Sequence, residues 1–90
     1  MSQAMKVNEE RKLEQSKTEE LQIAIGERIR ELRKAKGLNQ TELAIRMNDR
    51  DRQVVQRLEK GKTNCSLNLL RVAAEALEVE LTEIFPAKKH

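Results

Sequence analysis

The stretch Gly37-Leu38-Asn39-Gln40-Thr41-Glu42-Leu43-Ala44 decides how this 90-residue chain folds. Gly37 can adopt the left-handed backbone conformation that ends one helix, and Asn39 can cap the N-terminus of the next. Leu43 and Ala44 give this next helix a small inner face that permits close packing. The segment therefore predicts two helices joined by a tight turn, with the second helix beginning at about residue 40.

A further helix is predicted over about Arg50 to Glu59, where arginine and glutamine side chains surround a few apolar ones. Val55 and Leu58, spaced three residues apart, suffice to dock this helix on a core. The polar side chains then face outward. Arg and Gln can form bidentate hydrogen bonds with base edges in the major groove of DNA. The candidate base-reading residues on the outward face are Arg52, Gln53, Gln56 and Arg57.

The helix that ends at Gly37 is predicted to run from about Lys17 to Lys36, because apolar residues recur there at spacings of four, four and three. The string Ser16-Lys17-Thr18-Glu19 matches a capping box and marks the expected start. Gly26 inside this helix costs roughly 1 kcal/mol relative to Ala and suits a place where another backbone comes close. Residues 1–15 alone are expected to be disordered or weakly helical.

Two more helices are predicted in the C-terminal third. Ser66 can cap a fourth helix, in which leucines and alanines recur at three and four. A short last helix is expected from Thr82 to Phe85, stopped by Pro86. The predicted organisation is a charged N-terminal extension at 1–16, flexible or helical, a domain at 17–86 and a frayed tail at 87–90.

Composition favours an all-α protein and argues against several other classes. One Phe, no Trp and no Tyr leave Leu, Ile, Val, Ala and Met to build the core. A single Cys excludes an internal disulfide, and one His at the chain end cannot supply a ligand cluster, so neither a metal nor a cofactor is expected. No catalytic motif is recognisable, which predicts a non-enzyme. No apolar run suits a membrane span or signal peptide, so a cytoplasmic protein without membrane contact is expected.

Positive charge is concentrated in the middle of the chain. Residues 26–65 contain eleven basic and six acidic side chains, whereas residues 1–25 contain four and five, and residues 66–90 contain three and four. This distribution is the one expected for a protein that docks on phosphates, and solvated helical faces with Lys and Arg for solubility are the alternative. The charge pattern therefore indicates double-stranded DNA as the partner.

The segment from Ile25 to Phe85, about two thirds of the chain, resembles the Cro/repressor-like helix-turn-helix family, also called the XRE family. The matching strings occur in the family's order. They are Gly26-Glu27-Arg28-Ile29-Arg30-Glu31-Leu32-Arg33, Gly37-Leu38-Asn39-Gln40-Thr41-Glu42-Leu43-Ala44, Arg57-Leu58-Glu59-Lys60-Gly61-Lys62, Ala76-Leu77-Glu78-Val79 and Leu81-Thr82-Glu83-Ile84-Phe85.

The resemblance implies a compact five-helix lambda-repressor-like DNA-binding domain with a helix-turn-helix, here with an extended N-terminal segment. In such a domain the third helix enters the major groove and the second crosses the phosphate backbone. By position, the base-reading residues would be Arg52, Gln53 and Arg57. Phosphate contacts are implied for Gln40, Lys60, Lys62 and Asn64. Arg33 and Glu59 occupy positions that are paired in some relatives, the alternative being that both are exposed.

The chain departs from the family pattern between its second and third helices. Here Asn48-Asp49-Arg50-Asp51 is one residue longer than the usual turn, so Arg50 and Gln56 stay among the base-reading candidates. Asn48 can supply a positive φ, and Asp49 or Asp51 can cap the third helix. Cys65 stands where the family commonly has Pro; it is expected to pack as a small hydrophobe, the alternative being a redox-sensing thiol.

The expected function is that of a sequence-specific DNA-binding transcriptional regulator, a repressor that acts as a homodimer on a pseudo-palindromic operator. The family commonly dimerises through its last helices, which implies an interface at Val79, Leu81, Ile84 and Phe85. The N-terminal segment up to Ile25 is the alternative interface. The alternative function is a protein-interaction module, such as an antitoxin-type partner binder, that uses the same fold as a scaffold.

Overall fold

In the computed structural model, the backbone is described for residues 2–86 and the side chains for residues 11–86. Four α-helices are followed by one turn of 3₁₀ helix, and the described residues contain no strand. The elements are α1 Ser2–Ala35, α2 Gln40–Arg46, α3 Arg52–Glu59, α4 Leu67–Leu77 and the 3₁₀ helix Leu81–Ile84. The predicted all-α, five-helix architecture is confirmed. The predicted tail at 87–90 lies outside the described residues.

Helix α1 is much longer than the sequence pattern predicts. It runs from Ser2 to Ala35 without a break, so the expected start at Lys17 is wrong. The hydroxyl of Thr18 donates to the Glu14 carbonyl at 2.9 Å, a bond within the helix rather than a cap. The physical reason is that residues 2–16 contain no Gly or Pro and many good helix formers, so nothing stops the helix from extending.

The remaining helix ends follow the local signals in the sequence. Asn39 and Glu42 form a reciprocal capping box at the start of α2, and Ser66 caps α4. Gly37 has φ of +70°, and the hydrogen bond from the Leu38 amide to the Arg33 carbonyl closes the end of α1. This is the Schellman arrangement, which favours Gly because of the positive φ.

The turn between α2 and α3 uses two residues with positive φ, Asn48 at 64° and Asp49 at 57°. Asp51 caps α3 by accepting a hydrogen bond from the Gln53 amide at 3.1 Å. The helix therefore begins at Arg52, two residues later than predicted, because Arg50 completes the turn. The extra residue therefore lies in the turn between α2 and α3, and not within α3.

One apolar core joins all five elements. Its fully buried large side chains are Ile29, Leu43, Met47, Val55, Leu58, Leu77 and Ile84. Leu43 and Ala44 are 0% and 1% exposed, which confirms the small inner face predicted for α2.

Helix α1 approaches the end of α3 closely at Gly26. A Cβ atom added at Gly26 would collide with the carbonyl oxygen of Leu58 and would lie 2.7 Å from that of Glu59. The glycine therefore allows the two backbones to touch, as its position inside a helix suggested. This contact fixes the distance between α1 and the C-terminal end of α3.

The expected dimer surface needs one correction. Ile84 is 0% exposed and belongs to the core of the same chain, so it cannot contact a second subunit in this conformation. The reason is that the 3₁₀ helix packs on α4 and α1, where Ile84 joins the apolar core. Val79 and Leu81 are half-buried against the core, and Phe85 is 37% exposed.

Candidate DNA interface

Helix α3 separates an apolar face from a polar one. Val55 and Leu58 are 0% exposed, whereas Arg52, Gln53 and Arg57 are exposed. The helix has eight residues, so these three side chains span most of its length on the solvent side. Their guanidinium and amide groups can donate and accept in the patterns that base edges offer.

Two further base-reading candidates lie elsewhere. Arg50 precedes α3, is half-buried, and donates from Nη1 to the Met47 carbonyl at 2.8 Å. Its guanidinium therefore stabilises the turn before α3, and Arg50 stays a candidate base-reading residue outside the helix itself. Gln56 is half-buried and lines a shallow depression with Gln40 and Glu59, beside the reading face rather than at its centre.

Arg33 and Glu59 form a buried, bidentate ion pair. Nε of Arg33 lies 2.6 Å from Oε2 of Glu59, and Nη2 lies 3.0 Å from Oε1. The residues are 8% and 9% exposed. A third bond runs from Nη1 of Arg33 to the Leu38 carbonyl at 2.8 Å. No buried side-chain nitrogen or oxygen among the described residues lacks a hydrogen-bond partner, so both charges are compensated.

The same ion pair reaches the start of α2. Nε2 of Gln40 donates to Oε1 of Glu59 at 3.2 Å. One carboxylate therefore connects the C-terminal part of α1, the first residue of α2 and the last residue of α3. Such a network holds α3 at a set angle to α2, and it fixes the Gln40 side chain beside the end of α3.

The segment after α3 carries the other expected phosphate contacts. Lys60, Lys62 and Asn64 are all exposed. Gly61 between the lysines has φ of +70°, which turns the chain sharply at the helix end. Oδ1 of Asn64 accepts a hydrogen bond from Nε2 of Gln22 at 2.8 Å, so this segment is tied to α1.

Two residues of this surface are absent from the sequence-based candidates. Gln22 is 42 positions from Asn64, and nothing local predicts their contact. Arg30 is exposed and lines the same depression as Gln40, Gln56 and Lys60. Its spacing of three from Arg33 was the available signal, since residues at i and i+3 share a helix face.

Cys65 is half-buried and packs against the core. Burial raises the pKa of its thiol above the ordinary value of 9.0, which leaves less of the reactive thiolate at neutral pH. Its Sγ–H group donates to the Thr63 carbonyl at 3.4 Å. These features fit the small hydrophobe that the sequence suggested.

The described part of the chain contains no group of three or more His, Cys, Asp or Glu residues placed to hold a metal ion. Within it, no helix is both long enough and apolar enough to cross a membrane.

The family model for the helix-turn-helix matches residues 29–84, more than half of the chain. A solved structure, the restriction-modification controller protein C.AhdI from Aeromonas hydrophila, is similar at 43% identity and a TM-score of 0.67, covering 70% of this chain and 94% of its own. The clp gene regulator ClgR from C. glutamicum is similar at 27% identity and a TM-score of 0.66, covering 70% of this chain and 80% of its own. A search of curated proteins found no match. The chain belongs to the Cro/repressor-like, or XRE, family of helix-turn-helix proteins and is a DNA-binding transcriptional regulator.

Proposed function

We propose that this protein is a sequence-specific transcriptional repressor that binds a pseudo-palindromic operator as a homodimer. The observation that carries the proposal is the division of α3, in which Val55 and Leu58 are fully buried while Arg52, Gln53 and Arg57 are exposed. In the major groove, each arginine can bind the two acceptors of guanine, and the glutamine can bind the donor and acceptor of adenine.

Phosphate contacts are proposed on both sides of the reading helix. Gln40 lines one depression together with Arg52, at the N-terminal end of α3. Lys60, Lys62 and Asn64 follow its C-terminal end. Groups placed in this way bind the backbone on either side of the groove and set the register of α3 without specifying sequence. We add Arg30 to this set because it shares a depression with Gln40 and Lys60.

The homodimer follows from the small number of reading residues. One domain offers three or four such side chains, too few for the specific affinities that operators require, whereas two domains on successive major-groove faces about 34 Å apart double the contacts. We propose that Phe85, with Leu81 and Val79, forms the interface. Leu21 on α1, 44% exposed, marks the alternative surface.

The regulatory setting that we propose is a restriction-modification controller, because the C.AhdI likeness extends over 94% of that protein. The protein would act in the cytoplasm and needs no cofactor and no catalytic group. We also propose a domain boundary at residue 16, with 1–16 as an N-terminal extension of the DNA-binding domain at 17–86. The protein-interaction alternative is disfavoured because α3 exposes no large apolar side chain as an anchor.

The test is selection of bound duplexes from a random-sequence library with the full chain, followed by sequencing. The expected result is two inverted half-sites whose centres are about 10 base pairs apart, the spacing of one helical turn. Recovery of duplexes without any shared sequence would contradict sequence-specific binding. A single half-site without an inverted copy would contradict the dimer.

A further inference from the structure

The part of α1 that precedes the region matched by the helix-turn-helix family model contacts the segment after α3. That region begins at residue 29, whereas Gln22 lies two turns earlier in α1. Nε2 of Gln22 donates to Oδ1 of Asn64 at 2.8 Å. The contact joins residues 42 positions apart, and both side chains are at the surface rather than in the core.

A backbone contact next to this hydrogen bond holds the same segment against α1. A Cβ atom added at Gly61 would lie 2.8 Å from the Cα of Ile23. Such a separation leaves no space for a side chain at Gly61. The segment 60–64 is therefore placed by α1 at two points, one of backbone packing and one of side-chain hydrogen bonding.

The hydrogen bond from Gln22 determines which way the Asn64 amide faces. An asparagine amide carries an acceptor oxygen and a donor NH₂ group on different sides of its Cγ. Because the oxygen bonds Gln22, the NH₂ group is on the other branch of the amide, on an exposed side chain. An outward NH₂ group can donate to a phosphate oxygen, whereas an outward amide oxygen would face it as a second acceptor.

We propose that Gln22 is a positioning residue for DNA binding, which orients the Asn64 amide so that its NH₂ group binds a backbone phosphate. Gln22 itself does not touch the DNA. The inference rests on the proposed function, since it requires that the segment 60–64 binds phosphates. It assigns to the N-terminal part of α1 a role in the affinity for DNA.

The test uses the full chain and a short labelled duplex of arbitrary sequence, with binding followed by fluorescence anisotropy. Gln22→Ala removes one hydrogen bond and should weaken binding by about threefold to tenfold. Gln22→Glu should weaken it further, because a carboxylate can only accept and therefore draws the Asn64 NH₂ group toward itself. Gln15→Ala is the matched control on the same helix, since Gln15 bonds Glu19 and should bind as the wild type does.

The Asn64→Ala background separates positioning from a change of charge or of stability. If Gln22 acts through Asn64, Gln22→Ala should have no further effect there, and Gln22→Glu should lose most of its additional effect. Circular dichroism of each variant at the assay temperature checks that the helices remain folded. Equal losses from the Gln22 variants with and without Asn64 would overturn the proposal.

Lys62→Ala distinguishes failure of this inference from failure of the proposed function. If the wild type binds and Lys62→Ala weakens binding while both Gln22 variants bind normally, the positioning role is wrong and the phosphate-binding segment remains. If the wild type shows no salt-dependent binding to any duplex, both proposals fall. The expected result is a wild-type affinity that decreases with salt, with the Gln22 variants weaker at every salt concentration.

Discussion

Replacing Glu59 with alanine should destabilise the fold by about 3 to 5 kcal/mol, because it removes one partner of a buried ion pair. Arg33 is 8% exposed and would keep its charge with the Leu38 carbonyl as its remaining acceptor. Gln40 would lose the carboxylate oxygen that it contacts at 3.2 Å. Small domains are stable by about 5 to 15 kcal/mol, so the loss is a large fraction of the total.

The ion pair between Arg71 and Glu75 provides a matched control. Its N···O distance is also 2.6 Å, but its side chains are 54% and 64% exposed, compared with 10% and 4% for Arg33 and Glu59. Exposed pairs contribute about 0 to 1 kcal/mol, so Glu75→Ala should change stability little. The comparison sets a buried, bidentate pair against an exposed pair with the same shortest N···O distance.

The assay is urea unfolding followed by circular dichroism, applied to Glu59→Ala, Arg33→Met and the double variant. The double variant should lose less free energy than the sum of the single variants, because it leaves no unpaired buried charge. A coupling energy of zero, or a loss from Glu59→Ala no greater than that from Glu75→Ala, would refute the role of the pair in the fold.

Three other substitutions test the packing, the backbone and the dimer. Gly26→Ala gains about 1 kcal/mol of helix propensity, but its Cβ would lie 2.7 Å from the Glu59 carbonyl oxygen. Overpacking costs about 1 to 3 kcal/mol, so it should outweigh the gain and lower the Tm. An unchanged or higher Tm would contradict the close approach of α1 and α3. Glu78→Gly should stabilise the fold by about 1 kcal/mol, because the φ of 59° at Glu78 strains a residue with a side chain. Glu75→Gly is the control inside α4 and should lower the Tm. A lower Tm for both variants would refute backbone strain at Glu78. Phe85→Glu should shift sedimentation equilibrium toward the monomer while Leu21→Glu should not, and the reverse pattern would move the interface to α1.

The features that could be predicted from the sequence depend on neighbouring residues. The cap at Asn39, the positive φ at Gly37 and the buried pair Val55 and Leu58 are all local consequences of residue type and spacing. The pairing of Arg33 with Glu59 is implied by the family resemblance, and residue spacing alone could not predict it. These signals were enough to define the fold and the orientation of α3.

The errors have two physical causes. The string Ser16-Lys17-Thr18-Glu19 predicts a helix start at Lys17, but the same residue types also occur inside a continuous helix, as they do in α1. Arg50 lies in the turn rather than in α3, and Ile84 lies in the core, because a turn and a 3₁₀ segment determine side-chain direction only in three dimensions. The contact between Gln22 and Asn64 has no local signal, since it depends on how α1 packs against the segment after α3.

The most direct test of the central claim, that α3 reads base sequence, is the ratio of affinities for the selected operator and for random duplex. Arg52→Ala, Gln53→Ala and Arg57→Ala should each weaken operator binding by about 1 to 3 kcal/mol and change random-duplex binding less, which lowers the ratio. Lys62→Ala should weaken both duplexes comparably and leave the ratio unchanged. If all three α3 variants kept the wild-type ratio, α3 would not be the reading helix.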